Sequence, residues 1–244
     1  MADRPSAGLE LDATLRLLRE GALDVEGRLV DASNATLLCT VSLDGVSAQC
    51  VYKPRAGERP LWDFPDGTLA HREVAAYLVS SATGWEVVPP TVLRVGPFGP
   101  GMCQLWIDVD EDVDVVALAR SEHPDLRRMV VFDAVVNNAD RKGGHLLPTR
   151  DGHVYGVDHG VCFSVHDKLR TLLWQWRGQR LTEDASEVLT RLRAGVDGEV
   201  GRDLRRLLAP AEVEATRRRI ERLLRTKLYP SPSEDWPAIP WPPF

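Results

Sequence analysis

The sequence predicts an α+β protein in two lobes, an antiparallel five-stranded sheet carrying one helix followed by a mainly helical half. Three observations carry that prediction. Short β-prone runs separated by turn residues fill the stretch from Gly27 to Ile107. Segments with helical spacing and capping residues dominate after Asp108, and the change of character falls between Ile107 and Asp108. The expected organisation is a first lobe over 1–107, a helical lobe over 108–228 and a Pro/Trp-rich tail over 229–244. With 244 residues the chain is long enough to bury a core without covalent staples.

Leu9 to Glu20 places Leu11, Leu15, Leu17 and Leu18 at roughly helical spacing, with Asp12 as N-cap and Gly21 just past the end, so a leading helix is expected. Arg28 to Val30, Thr36 to Val41 and Gln49 to Tyr52 read as three antiparallel strands, punctuated by Asp31-Ala32-Ser33-Asn34 and by Asp44-Gly45. Leu69 to Ser81 reads as a helix with an apolar stripe of Leu69, Val74, Tyr77 and Leu78, closed by Gly84. Thr91 to Val95 and Met102 to Ile107, joined by the turn-rich Gly96 to Gly101, complete the sheet. Beyond Asp108, helices are expected over Pro124 to Asn137, Thr182 to Ala194, Glu199 to Leu208 and Pro210 to Lys227. The last has Pro210 in its first turn and a run of arginines late, which complements the helix dipole and reads as a solvated face. The tail has six prolines, with Trp236, Trp241 and Phe244, and reads as an extended strap whose aromatics dock on the body.

The net charge of −6 argues against a general nucleic-acid binder and against a basic face held on anionic lipid. No apolar run approaches the ~18 to 20 residues of a membrane span, and Met1 to Pro5 lacks a signal core. A cytoplasmic protein without stable membrane association is expected. Cys39, Cys50, Cys103 and Cys162 lie far apart without a CxxC pair, as buried reduced thiols would.

The chemistry concentrates in Asn138-Ala139-Asp140-Arg141-Lys142-Gly143-Gly144-His145 and in Asp158-His159-Gly160. Helix Met129 to Asn137 delivers the first run to a loop, and a hairpin turning at Thr149-Arg150-Asp151-Gly152 brings the second back beside it. Two carboxylates placed this way suit phosphoryl transfer: Asp140 to orient and deprotonate a hydroxyl, Asp158 to hold a metal on nucleotide phosphates. Lys142 is close enough in sequence to reach a transferring phosphate, and His145 stands where a second metal ligand is expected. Upstream, strand-borne Lys53 is followed by helical Glu73, a pair that places an ammonium on the α- and β-phosphates and anchors it. Ser33 and Asn34, in the loop one hairpin before Lys53, could cover phosphates. Gln104 and Trp106 lie where a strand would pass along an adenine using its backbone. The acidic run Asp108 to Asp114 lacks the glycine and the bidentate glutamate of a calcium loop.

In Asn138-Ala139-Asp140-Arg141 and Asp158-His159-Gly160 the chain resembles the protein-kinase-like superfamily, most closely its atypical branch of phosphoinositide 3- and 4-kinase-related and HipA-like kinases, and within it a small actinobacterial family. The resemblance spans roughly Gly27 to Leu173. It implies a two-lobed kinase-like fold, ATP and a divalent metal, Mg2+ or Mn2+. Carried over by position, Lys53 binds phosphate, Glu73 positions Lys53, Asp140 is the catalytic aspartate and Asp158 the main metal ligand. Two positions depart from the pattern. His145 replaces the usual asparagine, and imidazole suits softer ions such as manganese better than magnesium; His159 replaces the common aromatic of the turn. The segment Val161 to Arg180, with Lys168, Arg170, Trp174 and Trp176, is short where a long basic loop would accompany a phosphoinositide headgroup.

The expected function is ATP-dependent transfer of a γ-phosphoryl group to a hydroxyl of a protein or soluble small molecule. The alternatives are a nucleotide-binding pseudokinase that regulates a partner, and nucleotidyl transfer on the same fold.

Overall fold

The structure is a computed structural model and describes residues 10–29 and 34–244. The chain divides into two compact units, Met1–Val74 with Pro89–Asp108, and Ala75–Val88 with Val109–Phe244.

The first unit opens with α1 (Leu11–Glu20), which starts after Glu10 as its N-cap and leaves Asp12 inside the first turn. Five antiparallel strands follow: β1 (Ala22–Arg28), β2 (Leu37–Leu43), β3 (Val46–Pro54), β4 (Thr91–Gly96) and β5 (Gly99–Leu105), in the order β1-β2-β3-β5-β4. Leu17 and Leu18 of α1 bury against Cys39, Val41, Cys50, Tyr52, Val92 and Cys103 of the sheet, which is the core of this unit. The four cysteines are buried thiols, and burial pushes that of Cys39 up to about 11. Asp44 and Gly45, both at positive φ (50° and 80°), make the tight turn between β2 and β3 that their sequence announces.

The strand boundaries differ from the expectation most at β1 and β5. β1 begins at Ala22, ahead of Gly27, because it is an edge strand with mostly exposed side chains and a bulge between Val25 and Gly27, so its hydrophobic signal is weak. The expected Val30 lies outside the described residues. β5 starts at Gly99 and ends at Leu105, since Gly96 pairs with Gly99 and the hairpin tip shrinks to Pro97 and Phe98. Gly101 permits the close approach of β5 to β3: a Cβ there would lie 2.4 Å from the carbonyl oxygen of Lys53.

Helix α2 (Leu69–Thr83) runs across the division between the units. The second unit continues with α3 (Val115–Ala119), α4 (Pro124–Val136), the hairpin β6 (Leu146–Pro148) and β7 (Val154–Gly156), then α5 (Glu183–Asp197), α6 (Glu199–Leu204) and α7 (Pro210–Thr226). α4 is buried almost all round, from Met129 to Val136 without interruption. α5 and α7 pack together through Val188, Leu189, Leu192, Val213, Ile220 and Leu223. α6 stops four residues short of the expected Leu208.

Arg219 departs from the solvated face expected for α7. It is 4% exposed and donates to the carbonyls of Val135 and Ser164, and burial pushes it down to about 10. It shares the inward stripe with Thr216, Ile220 and Leu223. The tail docks in part: Lys168 Nζ lies 4.7 Å above the Trp236 ring, and Trp174 Nε1 donates to Ala238 O at 2.9 Å. Trp241, expected to dock, is 86% exposed. Among the described residues no helix is long and apolar enough to cross a membrane.

Candidate active site

In the first unit, Lys53 sits on β3 opposite Met102 of β5, and its Nζ is 2.6 Å from Glu73 Oε1 on α2. The Glu73 side chain is 2% exposed and that of Lys53 18%. A carboxylate this buried requires a cation, so the pair fixes the ammonium in place. The start of α2 is itself held, because Glu58 accepts the backbone N–H groups of Leu69 and Ala70 at 3.1 and 2.9 Å, satisfying donors the helix leaves open.

Ser33 lies outside the described residues. Asn34 Oδ1 accepts the backbone N–H of Arg59 at 2.8 Å, which ties its loop to the segment after β3. Gln104 is buried and donates through Nε2 to Thr91 Oγ1 at 2.8 Å, so its side chain serves the sheet. Trp106 is half-buried just past β5, with its backbone N–H donated to Gln49 O at 3.0 Å.

In the second unit, Asn137 takes a left-handed conformation (φ 55°, ψ 55°) and ends α4. Its Nδ2 donates to Ser164 O and His166 O, and its Oδ1 accepts from Lys168 N at 2.9 Å. Asn138 Oδ1 then accepts the Asp140 backbone N–H at 2.9 Å. Asp140 meets a cation at each oxygen: Lys142 Nζ lies 3.1 Å from Oδ2 and Arg170 Nη2 3.3 Å from Oδ1.

Beneath this loop is a polar cluster sealed from water. Asp133 on α4 and Arg141, both with fully buried side chains, form a two-pronged ion pair at 2.9 and 2.8 Å, and Asn138 Nδ2 donates to the same carboxylate at 3.0 Å. The Arg141 guanidinium also reaches Val157 O at 3.2 Å and His159 Nε2 at 2.6 Å. A guanidinium can only donate, so His159 accepts at Nε2 and carries its proton on Nδ1. Gly156 makes room, since a Cβ there would be 2.9 Å from Arg141 Nη1. One guanidinium thereby ties the loop of Asp140 to the turn of Asp158. Removing one partner of such a buried pair costs about 3–5 kcal/mol.

Asp158 adopts φ 62°, a left-handed conformation uncommon outside glycine. His145, in the one-turn helix Gly143–His145, brings Nε2 to 3.5 Å from Asp158 Oδ2. Burial pulls the His145 imidazole below its ordinary value, and the Asp158 charge works against that shift. Lys142 N–H lies 3.4 Å from His145 Nδ1, which leaves the proton on Nε2, facing Asp158. To offer Nε2 to a metal the ring must move that proton to Nδ1 and give up this long contact. Among the described residues no group of three or more His, Cys, Asp or Glu side chains converges as a metal site. A pair such as Asp158 and His145 fits a metal that completes its shell with phosphate oxygens and water, as magnesium and manganese do in nucleotide sites.

Sequence reasoning named Asp140, Lys142, His145 and Asp158, and the structure brings them together in adjoining pairs. It missed Asp133 and the contact of Arg170 with Asp140. A signal for Asp133 was present: a lone carboxylate inside Val130-Val131-Phe132-Asp133-Ala134-Val135-Val136 must be paired if the helix is buried. Arg170 offers no such signal, because its contact is made across thirty residues.

Comparison with solved structures defines the class. The Golgi casein kinase with Mn/ADP bound superposes with a TM-score of 0.62 at 15% identity, over 90% of this chain and 75% of that one. The Helicobacter pylori proinflammatory kinase CtkA superposes with a TM-score of 0.54 at 12% identity, over 87% of this chain and 94% of that one. The chain therefore has a protein-kinase-like fold. No protein-family model matches it. Phosphatidylinositol 4-kinase gamma 4 of Oryza sativa subsp. japonica is 26% identical over 129 residues, 45% of this chain and 22% of the rice protein. Protein Rv2133c of Mycobacterium tuberculosis is 44% identical over 93% of this chain and 94% of its own length, and the chain belongs to the same family as Rv2133c.

Proposed function

We propose that this chain is an ATP-dependent phosphotransferase that uses Mg2+ or Mn2+ and passes the γ-phosphoryl group to a hydroxyl of a protein or soluble small molecule. The observation that carries this reading is the buried Arg141, which holds the loop of Asp140 and the turn of Asp158 on one side chain. The kinase-like fold and the Mn/ADP-bound neighbour support it.

Asp140 would orient the acceptor hydroxyl and take its proton. The hydroxyl oxygen bonds to the γ-phosphorus, the bond to the β–γ bridging oxygen breaks, and ADP leaves with that electron pair. Lys142, on a flexible stem, would follow the transferring phosphoryl group, and Lys53, braced by Glu73, would neutralise the α- and β-phosphates. A divalent ion held by Asp158 and His145 would supply further charge neutralisation. Positioning and electrostatics carry such a reaction, since little covalent chemistry is asked of the protein. The net charge of −6 fits an acceptor other than nucleic acid.

Asp140→Ala tests the assignment. Transfer from γ-labelled ATP to a soluble cell extract should fall by about 10²- to 10⁴-fold, the worth of a positioned general base. Binding of ADP with Mn2+, followed by calorimetry, should be unchanged. Transfer at the wild-type rate by this variant would remove Asp140 from the reaction.

A further inference from the structure

Four connections join Arg170 to the loop of Asp140. Its backbone N–H donates to Asn138 O at 2.9 Å and its carbonyl accepts from Arg141 N at 3.0 Å, beside a parallel bridge between Arg141 and Thr171. Its Nε donates to Ala139 O at 2.7 Å, and its Nη2 reaches Asp140 Oδ1 at 3.3 Å. Backbone and guanidinium together clamp residues 138–141.

Lys142 is held differently. Its ammonium contacts Asp140 Oδ2 at 3.1 Å from the end of a four-carbon stem, with the side chain 25% exposed. As the structure stands, a cation meets each oxygen of Asp140, and each oxygen keeps a further lone pair. The two cations differ in how freely they can leave. The guanidinium spans a carbonyl and a carboxylate oxygen in a fixed fork, whereas the ammonium is a mobile point charge.

We infer that Arg170 is a positioning residue that holds Oδ1 of Asp140, so that Oδ2 is the atom that takes the hydroxyl proton once Lys142 swings from it to the phosphoryl group. This rests on the phosphotransferase reading above. It assigns different tasks to the two oxygens of one carboxylate, and gives the short segment after the Asp158 turn a direct part in setting up the base. Misplacing a reacting group by about 1 Å can cost about 10²-fold in rate, and that is the loss expected when the clamp is removed.

The test is a cycle of Arg170→Gln, Asp140→Asn and the double variant, read as transfer from γ-labelled ATP and Mn2+ into a soluble cell extract at varied ATP. Arg170→Gln should lower kcat about 10²-fold with KM for ATP and calorimetric ADP–Mn2+ binding unchanged. In the Asp140→Asn background the same change should cost nothing further, because Arg170 acts through the carboxylate. Arg170→Lys, which keeps the charge but cannot span both oxygens, should recover only part of the loss, and it carries the comparison if the glutamine variant fails to fold. An equal loss in both backgrounds, or a parallel loss of nucleotide binding, would make Arg170 a structural residue and overturn the inference. Transfer that depends on Asp140 but is indifferent to Arg170 overturns the inference alone. Wild-type protein with no Asp140-dependent transfer overturns both it and the phosphotransferase reading.

Discussion

The backbone at Asp158 sits at φ 62°, a conformation that costs of order 1–3 kcal/mol for a residue other than glycine. That cost is offset by the surrounding clamp, in which Arg141 binds Val157 O and His159 on either side of it. The Asp158 carboxylate meets His145, whose Nε2 lies 3.5 Å from Oδ2. On the proposed function, the imidazole would either join the metal shell or donate to the carboxylate that holds the metal. His145→Asn separates the two roles. If the imidazole is a ligand, the wild type should favour Mn2+ and the variant should shift toward Mg2+, measured as the ratio of transfer rates in the two ions. An unchanged ratio with a uniform loss would leave His145 as a hydrogen-bond donor to Asp158. At this scale the sequence revealed the residues with chemical character of their own. Asp140, His145 and Asp158 stood out by type and spacing, whereas Arg170 looked like one arginine of many until the fold brought it to Asp140.

The β6–β7 hairpin carries Asp158 at its exit, and it is anchored to α4 through a titratable pair. His153 Nδ1 lies 3.0 Å from Asp125 Oδ2, its Nε2 is 3.0 Å from Glu86 O, and Asp125 also accepts Val154 N–H at 3.1 Å. The hydrogen bond to Asp125 raises His153 above its ordinary value of 6.5, against a smaller opposing effect of burial. For Asp125, burial pushes upward, but the bonds from His153 and Val154 prevail and hold it below 3.8. A raised histidine contributes stability that is fully present below its unfolded value and is lost as pH rises through the folded one. A lowered carboxylate contributes above its unfolded value and loses it as pH falls, so the pair is strongest between about pH 4 and 6.5. Thermal melts of wild type and His153→Gln should therefore differ most near pH 6 and converge as pH rises toward about 8. Melting curves that stay a constant distance apart across that range would contradict the pairing. Elements with strong patterns were legible in the sequence: Asp44-Gly45 announced its hairpin, and Pro210 the start of α7. β1 was not, because an exposed edge strand is specified by its partner more than by its own side chains. The inward Arg219 was hidden for a similar reason, since helical spacing puts it on the stripe but its carbonyl partners come from α4 and from Ser164.

For the whole molecule, the α+β organisation was legible in a coarse property, a strand-rich stretch ahead of a helix-rich one, and the kinase-like fold in the resemblance carried by Asn138-Ala139-Asp140-Arg141 and Asp158-His159-Gly160. The buried Asp133–Arg141 pair that organises those loops was not read, because the sequence shows a charge in an apolar run without showing its partner. On the proposed function, the same residues would serve to direct either the γ-phosphoryl or the nucleotidyl end of ATP to an acceptor. Parallel reactions with γ-labelled and α-labelled ATP, Mn2+ and a soluble cell extract, each with the Asp140→Ala variant as blank, decide it. Phosphoryl transfer predicts Asp140-dependent label in the acceptor from γ-labelled ATP and none from α-labelled ATP, with a mass gain of about 80 Da. Label arriving from the α-position, or from neither, would contradict it.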